Sequence, residues 1–477
     1  MVTLLLACAR VPPDSSSLLP SDAASPLDLE LAIDGPTDIQ VVRGDSVDVP
    51  FVIAGLGSAT VSSVGAIGLP VGVTCDPAMD ASRNGSVTLH ASADAASIET
   101  TVELLIADTG AMAAFHLSVV GFDGSLDPTF GKAGTLRLPL PAPGPDVVGI
   151  APSGARMVIA GTVHEAYAVR DVWVARLLED GSWDTTFGEG GAVTVAADEN
   201  GNGFTADALA ACDDETIAVA ATKDIGGGTN ESITEHLLSF DAGGNREGDV
   251  TLPFAVEAAA CAGGSFFGVG GIEDLVVVDP AESVTTLLLP VPTVGAHVVA
   301  APALVDVGAR PLVQLRESSG AWSVDASFAD QGVLTGDASA ALVRDASSRL
   351  LLASIDAKAN VLQLRRVLPD GTADVFGTNG VFVAALGSMS ASSVALALSP
   401  SGDAFVALDD PEAAVVTLLR VDGSGDAVTT FGDDGRVTTS SQFVADTTLA
   451  GAAFDADGGL WVALSNGTLF RYRIASP

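Results

Sequence analysis

The chain has 477 residues, of which 48% are hydrophobic, 5% aromatic and 17% charged, enough apolar content for a packed core and too much for a wholly disordered chain. Its longest uncharged stretches, 283–305 and 375–402, are interrupted by prolines or serines, which excludes a membrane-spanning helix of 18 or more apolar residues. Lys and Arg total 21 against 60 Asp and Glu, a net charge of −39 that repels nucleic-acid phosphates and anionic membranes.

The N-terminus reads MVTLLLACAR, and its Leu5-Leu6-Ala7-Cys8 segment resembles the lipobox of bacterial lipoprotein signals. The resemblance implies that 1–8 is a signal and that Cys8 becomes the lipid attachment site, which is the membrane contact we expect. The apolar run is short and no Lys or Arg precedes it, as in a truncated or degenerate signal. Residues 9–26 are rich in Ser, Pro, Ala and Asp and predict a flexible linker. The alternative is a chance LLLAC in an apolar sequence.

Alternating apolar and polar residues begin at Leu27 and continue to about residue 120. Short alternating runs separated by Gly and Pro predict a β-sandwich over 27–120. The segment GLPVGVTCDP (68–77) resembles a stretch of bacterial extracellular immunoglobulin-like domains, which implies a stalk or adhesion module. The predicted strands are LELAI (29–33), TDIQVV (37–42), SVDVPFVIA (46–54), VGVTCD (71–76), SVTLHAS (86–92), ETTVELLIAD (99–108) and AAFHLSVVG (113–121).

The remainder, 121–477, is dominated by an internal repeat of roughly 50 residues. A marker segment of the form D-x-T-F-G recurs with variations, and two further units, at 246–254 and 283–290, keep the strand pattern without the Phe-Gly. Strand patterns and Asp-Gly turns between the markers predict four antiparallel strands per unit. Seven such units predict an all-β, seven-bladed β-propeller. The marker phenylalanines are Phe130, Phe187, Phe328, Phe376 and Phe431.

These markers and turns resemble the bacterial delta-60 repeat family. The resemblance covers most of 121–477 and is weakest over 240–320. It implies a secreted or surface-anchored propeller of Gram-negative bacteria, without implying an activity.

The two ends of the repeat region complement each other. The first marker segment, 126–138, has the character of a fourth strand and precedes any complete unit. The last unit supplies only three strands, in 451–455, 460–465 and 468–474. We therefore predict that the N-terminal strand of the propeller completes its last blade, which removes two exposed sheet edges.

The usual signatures of hydrolases, zinc proteases and nucleotide-binding loops do not occur, and no catalytic residue or cofactor is assigned. One loop fits the opening of a calcium motif, with Asp198, Asn200 and Asn202 as oxygen ligands. Its closing position is Leu209, and Asp207 could replace it only in a shifted loop. The alternative is a polar connector between strands. The five histidines, His90, His116, His164, His236 and His297, lack metal-ligand spacing.

Cys212 and Cys261 occupy matching places in neighbouring repeats. They predict either a disulfide, in an oxidising compartment, or two small buried apolar residues.

Two functions fit this sequence. The first is a monomeric lipoprotein of the bacterial cell envelope, or a secreted protein, whose propeller is a binding or scaffold module for an extracellular protein or glycan. The second is a propeller hydrolase or lyase that acts on extracellular polysaccharide or peptide. A gathering of carboxylates and histidines within hydrogen-bond reach of one another would favour the second.

Overall fold

The computed structural model forms two compact units. The first comprises Met1–Gly134, Thr430–Asp434 and Arg473–Ala475, and the second comprises Thr135–Thr429, Gly435–Tyr472 and Ser476–Pro477. The structure describes residues 30–35, 37–43, 45–54, 64–79, 84–92, 95, 98–106, 111–120, 123–138, 145–165, 169–198, 202–212, 214–225, 232–270, 274–290, 298–301, 304–307, 312–318, 321–335, 341–432, 435–440 and 447–474. Cys8 and the linker predicted over 9–26 lie outside these ranges.

Strands and turns make up the regular structure of the described residues, so the fold is all-β. Within those ranges, no helix is long and apolar enough to cross a membrane.

The first unit contains eight strands in two sheets, ordered β1-β3-β6-β5 and β2-β8-β7-β4. The strands are β1 (Glu30–Ile33), β2 (Asp38–Val42), β3 (Ser46–Ala54), β4 (Val64–Ile67), β5 (Val73–Met79), β6 (Asn84–Ala91), β7 (Ile98–Ile106) and β8 (Met112–Val120). Buried residues from both sheets, including Val49, Leu89, Leu104 and Leu117, form one apolar core. The unit is therefore a β-sandwich, with β2 and β8 paired in parallel.

Strand β4 is absent from the sequence-based prediction, which has seven strands. Its sequence VGAI is short and contains glycine and alanine, residues with low strand propensity. Val64 and Ala66 are nevertheless buried against the sandwich core, so tertiary packing rather than local preference holds this strand.

The second unit contains seven sheets among its described residues, each with four consecutive hydrogen-bonded strands. Strand β9 (Thr135–Arg137) comes first in the chain and belongs to the last sheet. Sheet A contains β10 (Pro145–Ser153), β11 (Arg156–Glu165), β12 (Val169–Leu177) and β13 (Ala192–Val195); sheet B contains β14 (Phe204–Ala211), β15 (Ile217–Ile225), β16 (Ser232–Phe240) and β17 (Arg246–Leu252); sheet C contains β18 (Ala258–Ala262), β19 (Ser265–Gly270), β20 (Asp274–Val278) and β21 (Val284–Leu288).

Sheet D contains β22 (Val298–Ala301), β23 (Leu304–Val307), β24 (Leu312–Ser318) and β25 (Ala321–Val324), with β26 (Val333–Leu334) also paired to β24. Sheet E contains β27 (Ala341–Arg344), β28 (Leu350–Asp356), β29 (Val361–Val367) and β30 (Val381–Ala385); sheet F contains β31 (Val394–Leu398), β32 (Ala404–Asp410), β33 (Val415–Val421) and β34 (Arg436–Ser440); sheet G contains β35 (Leu449–Phe454), β36 (Leu460–Leu464), β37 (Thr468–Tyr472) and β9.

The sheets of the second unit follow one another in a cycle. The first strand of each sheet contacts the first strand of the next, and β35 of sheet G contacts β10 of sheet A. Apolar clusters fill the spaces between consecutive sheets, for example between A and B and between E and F. A cyclic series of four-stranded antiparallel sheets is a β-propeller. The units without a Phe-Gly marker keep their outer strands, β17 and β21, as predicted.

The predicted closing strand is confirmed. Strand β9 pairs antiparallel with β37, where Leu136 lies opposite Leu469. The backbone N–H of Leu138 extends the pairing by donating to the carbonyl of Gly467 at 3.0 Å. The last sheet is thus completed by the strand that comes first in the chain.

Candidate functional site

The repeated marker segment is a turn that buries its phenylalanine. In three copies the aspartate Oδ1 accepts hydrogen bonds from the backbone N–H and the hydroxyl of the residue two positions later. All five marker phenylalanines are at most 2% exposed. The marker is therefore a structural element of the fold. The aspartate and hydroxyl pairs are Asp127 with Thr129, Asp184 with Thr186, and Asp325 with Ser327.

An arginine on the preceding strand completes the marker. The Nε atom of Arg366 donates to Asp374 Oδ2 at 2.7 Å, and its guanidinium lies 4.7 Å from the centre of the Phe376 ring. Arg176 makes the same contacts with Asp184 and Phe187, at 2.8 and 4.9 Å. Burial alone would raise the pKa of Asp374, but the bonds and charge of Arg366 outweigh it and lower that pKa.

The same residues join neighbouring sheets, as between E and F and between A and B. Arg366 also donates to the carbonyl of Gly423, in the turn between β33 and β34, at 2.6 Å. The backbone N–H of Gly377 donates to Ser424 in that turn at 2.8 Å, and Gly188 donates to Gly243 in sheet B at 2.7 Å. Repetition in the sequence reveals the marker but not its arginines, which lie several residues upstream on a different strand.

The cluster that best qualifies as a functional site lies at one end of sheet B, and we call it the sheet B cluster: Asp207, Thr222, Asp224, Glu235 and Arg170. The Oδ2 atom of Asp207 lies 2.7 Å from the Thr222 hydroxyl, which lies 2.9 Å from Glu235 Oε2. Three strands meet here. The beginning of β14 is paired with the end of β15, and the end of β15 is also paired with the beginning of β16.

Asp207 is one of three described carboxyls with a raised pKa, together with Asp306 and Glu179. Burial raises the pKa of Asp207 to about 6, with further contributions from the negative charges of Glu235 and Asp224, and a hydrogen bond that Thr222 donates to the ionised form opposes the rise. Asp207 therefore exchanges its proton close to neutral pH.

Arg170 lies beside this cluster, whereas His236, the residue after Glu235 on β16, faces the opposite side of the sheet. Arg170 Nη1 lies 3.1 Å from Thr205 Oγ1 and 3.6 Å from Asp224 Oδ2. His236 lies 2.9 Å from Thr234 Oγ1 and 2.6 Å from Asp249 Oδ1. The end of sheet B therefore presents acidic, basic and hydroxyl groups together, a combination that can hydrogen-bond a polar ligand.

The described residues of the predicted calcium loop are bonded to each other. The side-chain amide of Asn202 donates to Asp198 Oδ2 at 2.8 Å, and its backbone N–H donates to Oδ1 at 3.1 Å. The ammonium of Lys223 lies 3.7 Å from Asp198 Oδ2. Asn200 lies outside the described residues, and among those described no three metal-ligating side chains come together. Calcium binding stays a prediction.

The other candidate residues are dispersed. In the sandwich, His90 bonds Asp76 and Ser46, while His116 is half-buried on β8. His164 lies in β11, although its side chain is not described, and His297 is outside the described ranges.

The structure resolves the alternatives for the paired cysteines. Cys212 follows β14, and Cys261 lies in β18. They form a disulfide between sheets B and C with their Cα atoms 4.9 Å apart.

Similarity to known proteins is found among solved structures. No protein-family model matches the chain, and no curated protein matches it. BamB from Moraxella catarrhalis is 14% identical with a TM-score of 0.39, over 71% of this chain and 98% of that one. A quinonprotein alcohol dehydrogenase-like protein from Bacteroides thetaiotaomicron is 11% identical with a TM-score of 0.42, over 85% and 97%.

The β-propeller domain of the Trilobed protease from Pyrococcus furiosus is 10% identical with a TM-score of 0.40, over 69% of this chain and 95% of that one. With identities and TM-scores this low, these similarities carry no argument about what the chain binds or does.

Proposed function

We propose that this chain is a lipoprotein of the bacterial envelope, or a secreted protein, in which a seven-bladed propeller of delta-60-like repeats is a binding or scaffold module. The sandwich that precedes it acts as an immunoglobulin-like stalk. The ligand is an extracellular protein or glycan, and neither nucleic acid nor a second copy of the chain is part of the function.

The observation that carries this proposal is the sheet B cluster. The polar side chains of the marker segments are engaged in holding turns and neighbouring sheets together. Asp207, Thr222 and Glu235 belong to no marker, and each lies three residues inside the end of its strand on a frame of packed sheets. Polar groups displayed at the ends of rigid strands are a common arrangement for recognition.

Binding of extracellular glycans and peptides to the full chain tests this proposal. We expect the double variant Asp224→Asn with Glu235→Gln to weaken binding at least about tenfold, because it removes two hydrogen-bond-accepting charges from the cluster. A variant with Glu317→Gln and Glu412→Gln loses the same charge at exposed positions elsewhere and should bind normally. Equal loss in both variants, or in neither, would rule out the cluster as the binding site.

The carboxyl pair also favours the second candidate, a hydrolase or lyase. Two neighbouring carboxyl groups of unequal acidity can divide proton donation and acceptance between them, and Asp207 has a raised pKa beside Glu235. Incubation with extracellular polysaccharides and peptides distinguishes the candidates, because a binding module returns its ligand intact. Cleavage that survives Glu235→Gln would exclude this pair as its source.

Lipid attachment is a separate part of the proposal and has its own test. Expression from the native upstream region with labelled palmitate should tag the protein, and Cys8→Ser should abolish the label. Cys212→Ser, which removes a different cysteine, should leave it in place. A label retained by Cys8→Ser would refute attachment at this residue.

A further inference from the structure

We propose that Asp207 and Glu235 share one proton through the Thr222 hydroxyl, and that its release loosens the end of sheet B. This is a pH-sensitive device built into the propeller. It does not depend on the proposed ligand, because the protein alone carries every group involved.

A count of hydrogens supports the shared proton. A threonine hydroxyl has a single hydrogen, and an ionised carboxylate only accepts hydrogen bonds. Thr222 Oγ1 nevertheless lies within hydrogen-bond distance of both Asp207 Oδ2, at 2.7 Å, and Glu235 Oε2, at 2.9 Å. Both contacts are hydrogen bonds if a protonated Asp207 donates to Thr222 and Thr222 donates to Glu235. When both carboxyls are ionised, one contact becomes an unfavourable approach of two oxygens.

The surroundings assign the proton to Asp207. Burial and the charges of Glu235 and Asp224 raise its pKa to about 6. The cation Arg170 lies 3.6 Å from Asp224 Oδ2. The ionisable side chains on the elements packed against β14 are Asp146 on β10, Arg156, His164 and Glu165 on β11, Arg170, Asp171 and Arg176 on β12, and Lys223 and Asp224 on β15, whereas Cys261 of β18 is in a disulfide. Glu235 and His236 lie one strand further away, on β16.

Comparison of equivalent positions shows that the fold itself does not need this proton. The pairing of the first and second strands shifts register at one residue in sheets A, B and G. The extra residue is Val148 in sheet A, Asp207 in sheet B and Ala450 in sheet G. A residue left out of the ladder in this way is free to aim its side chain differently from its neighbours. Only sheet B, of these three, places a titratable group there.

The position of Asp207 on β14 also explains how loss of the proton would affect the neighbouring sheets. Strand β14 contacts both β10 and β18, the first strands of the adjacent sheets. A Cβ atom on Gly149 of β10 would lie 3.1 Å from the Cβ of Leu209, two residues after Asp207. Strand β14 is therefore packed closely against β10 two residues after Asp207.

Carboxyl 13C NMR and hydrogen–deuterium exchange, both on the full chain without ligand, test the device. The aspartate signal that disappears in Asp207→Asn identifies Asp207, and we expect its midpoint near pH 6. Glu235→Gln should move that midpoint toward the ordinary aspartate value, because a neighbouring negative charge is removed. Glu317→Gln, which removes an exposed charge in sheet D, should leave it unchanged.

Exchange of the amides in 204–208 and 220–224, corrected for intrinsic rates, should accelerate above that midpoint. In Asp207→Asn the amide group can donate to Thr222 at any pH, so protection should stay high and independent of pH. A wild-type midpoint near pH 4 would overturn the shared proton, and sequential assignment of the wild-type spectrum gives that midpoint even if a variant fails to fold. Exchange that accelerates equally in Asp207→Asn would overturn its coupling to the strand.

Discussion

At the scale of single residues, contacts between neighbouring sheets depend on glycines in the turns after the third strands. Gly425 has a φ of 92°, and a Cβ atom there would overlap the backbone nitrogen of Gly377 in the preceding sheet. A Cβ atom on Gly371 would likewise overlap the backbone nitrogen of Ala329 in the preceding sheet. Glycine serves two needs at these positions, a left-handed backbone and a close approach of two chains.

A comparison of Gly425→Ala with Gly402→Ala separates the cost of the left-handed backbone from the cost of the close contact between sheets. Gly402 has a φ of 90°, but nothing lies within 4 Å of the position of its Cβ. We expect Gly402→Ala to cost about 1–2 kcal/mol of unfolding free energy from backbone strain, and Gly425→Ala roughly twice that or more. Urea denaturation measures both. Equal losses would show that the contact with Gly377 contributes nothing.

The marker arginines permit a second residue-scale comparison. The Arg366 side chain is 8% exposed and its Asp374 partner 15%, whereas the Arg316 side chain is 48% exposed. Arg366→Met leaves the mostly buried carboxylate of Asp374 with only the longer 3.5 Å contact to Arg349, so we expect a loss of about 3 kcal/mol, at the low end for a broken buried pair. Arg316→Met removes the equivalent bond to Asp325; that carboxylate is 6% exposed, but because the Arg316 side chain is 48% exposed, water can take the place of the guanidinium, and the loss should be about 1 kcal/mol. A larger loss for Arg316→Met would contradict this assignment.

At the scale of elements, local patterns predicted most strands, since alternation and Asp-Gly turns are properties of short segments. The exceptions were short elements such as β4, whose burial comes from contacts far away in the chain. The closing strand was predictable for a different reason. The sequence shows one extra strand before the first complete unit and one missing strand in the last unit.

Deletion of 122–140 tests the contribution of the closing strand. It removes β9 and the buried Leu138 and exposes the edge of β37. We expect the melting temperature to fall by many degrees and aggregation to increase, because an unpaired edge is a template for other chains. Deletion of 1–120 leaves β9 in place and should do neither. If the 122–140 deletion melts like the intact chain, the pairing of β9 with β37 is unimportant for stability.

At the scale of the whole molecule, stability should depend on pH through two opposing groups of carboxyls. Asp207 has a raised pKa, so its contribution increases as the pH falls through about 6 toward the ordinary value of 3.8. Asp184, Asp325 and Asp374 have lowered pKa values, so their contributions are present above 3.8 and are lost as the pH falls through the folded-state values. Relief of the −39 net charge adds to the gain on mild acidification.

We therefore expect the melting temperature of the dilute protein to be highest between about pH 4 and pH 6. Scanning fluorimetry across the range from pH 3 to pH 8 measures it. Asp207→Asn should reduce the gain between pH 8 and pH 5, and Glu317→Gln should not. Greatest stability at pH 7 or above would contradict the raised pKa of Asp207.

The amino-acid sequence by itself determined the all-β class, the repeat, the order of strands and turns in each unit, and the strand that closes the last sheet. These features follow from short periodic patterns of apolar, polar and turn residues, which do not depend on contacts between distant parts of the chain. The immunoglobulin-like identity of the sandwich, the seven-blade count and lipid attachment at Cys8 stay predictions.

Only the tertiary structure decided which side chains meet. It joined Cys212 to Cys261, an alternative that spacing left open, and it engaged the calcium-loop residue Asp198 with Asn202 and Lys223. It also brought Asp207 to Thr222 and Glu235, although the sequence presented Asp207 only as a substitute calcium ligand. The physical reason is that these contacts depend on strand register and on one unpaired residue in β14, which three-dimensional pairing sets and local sequence does not encode.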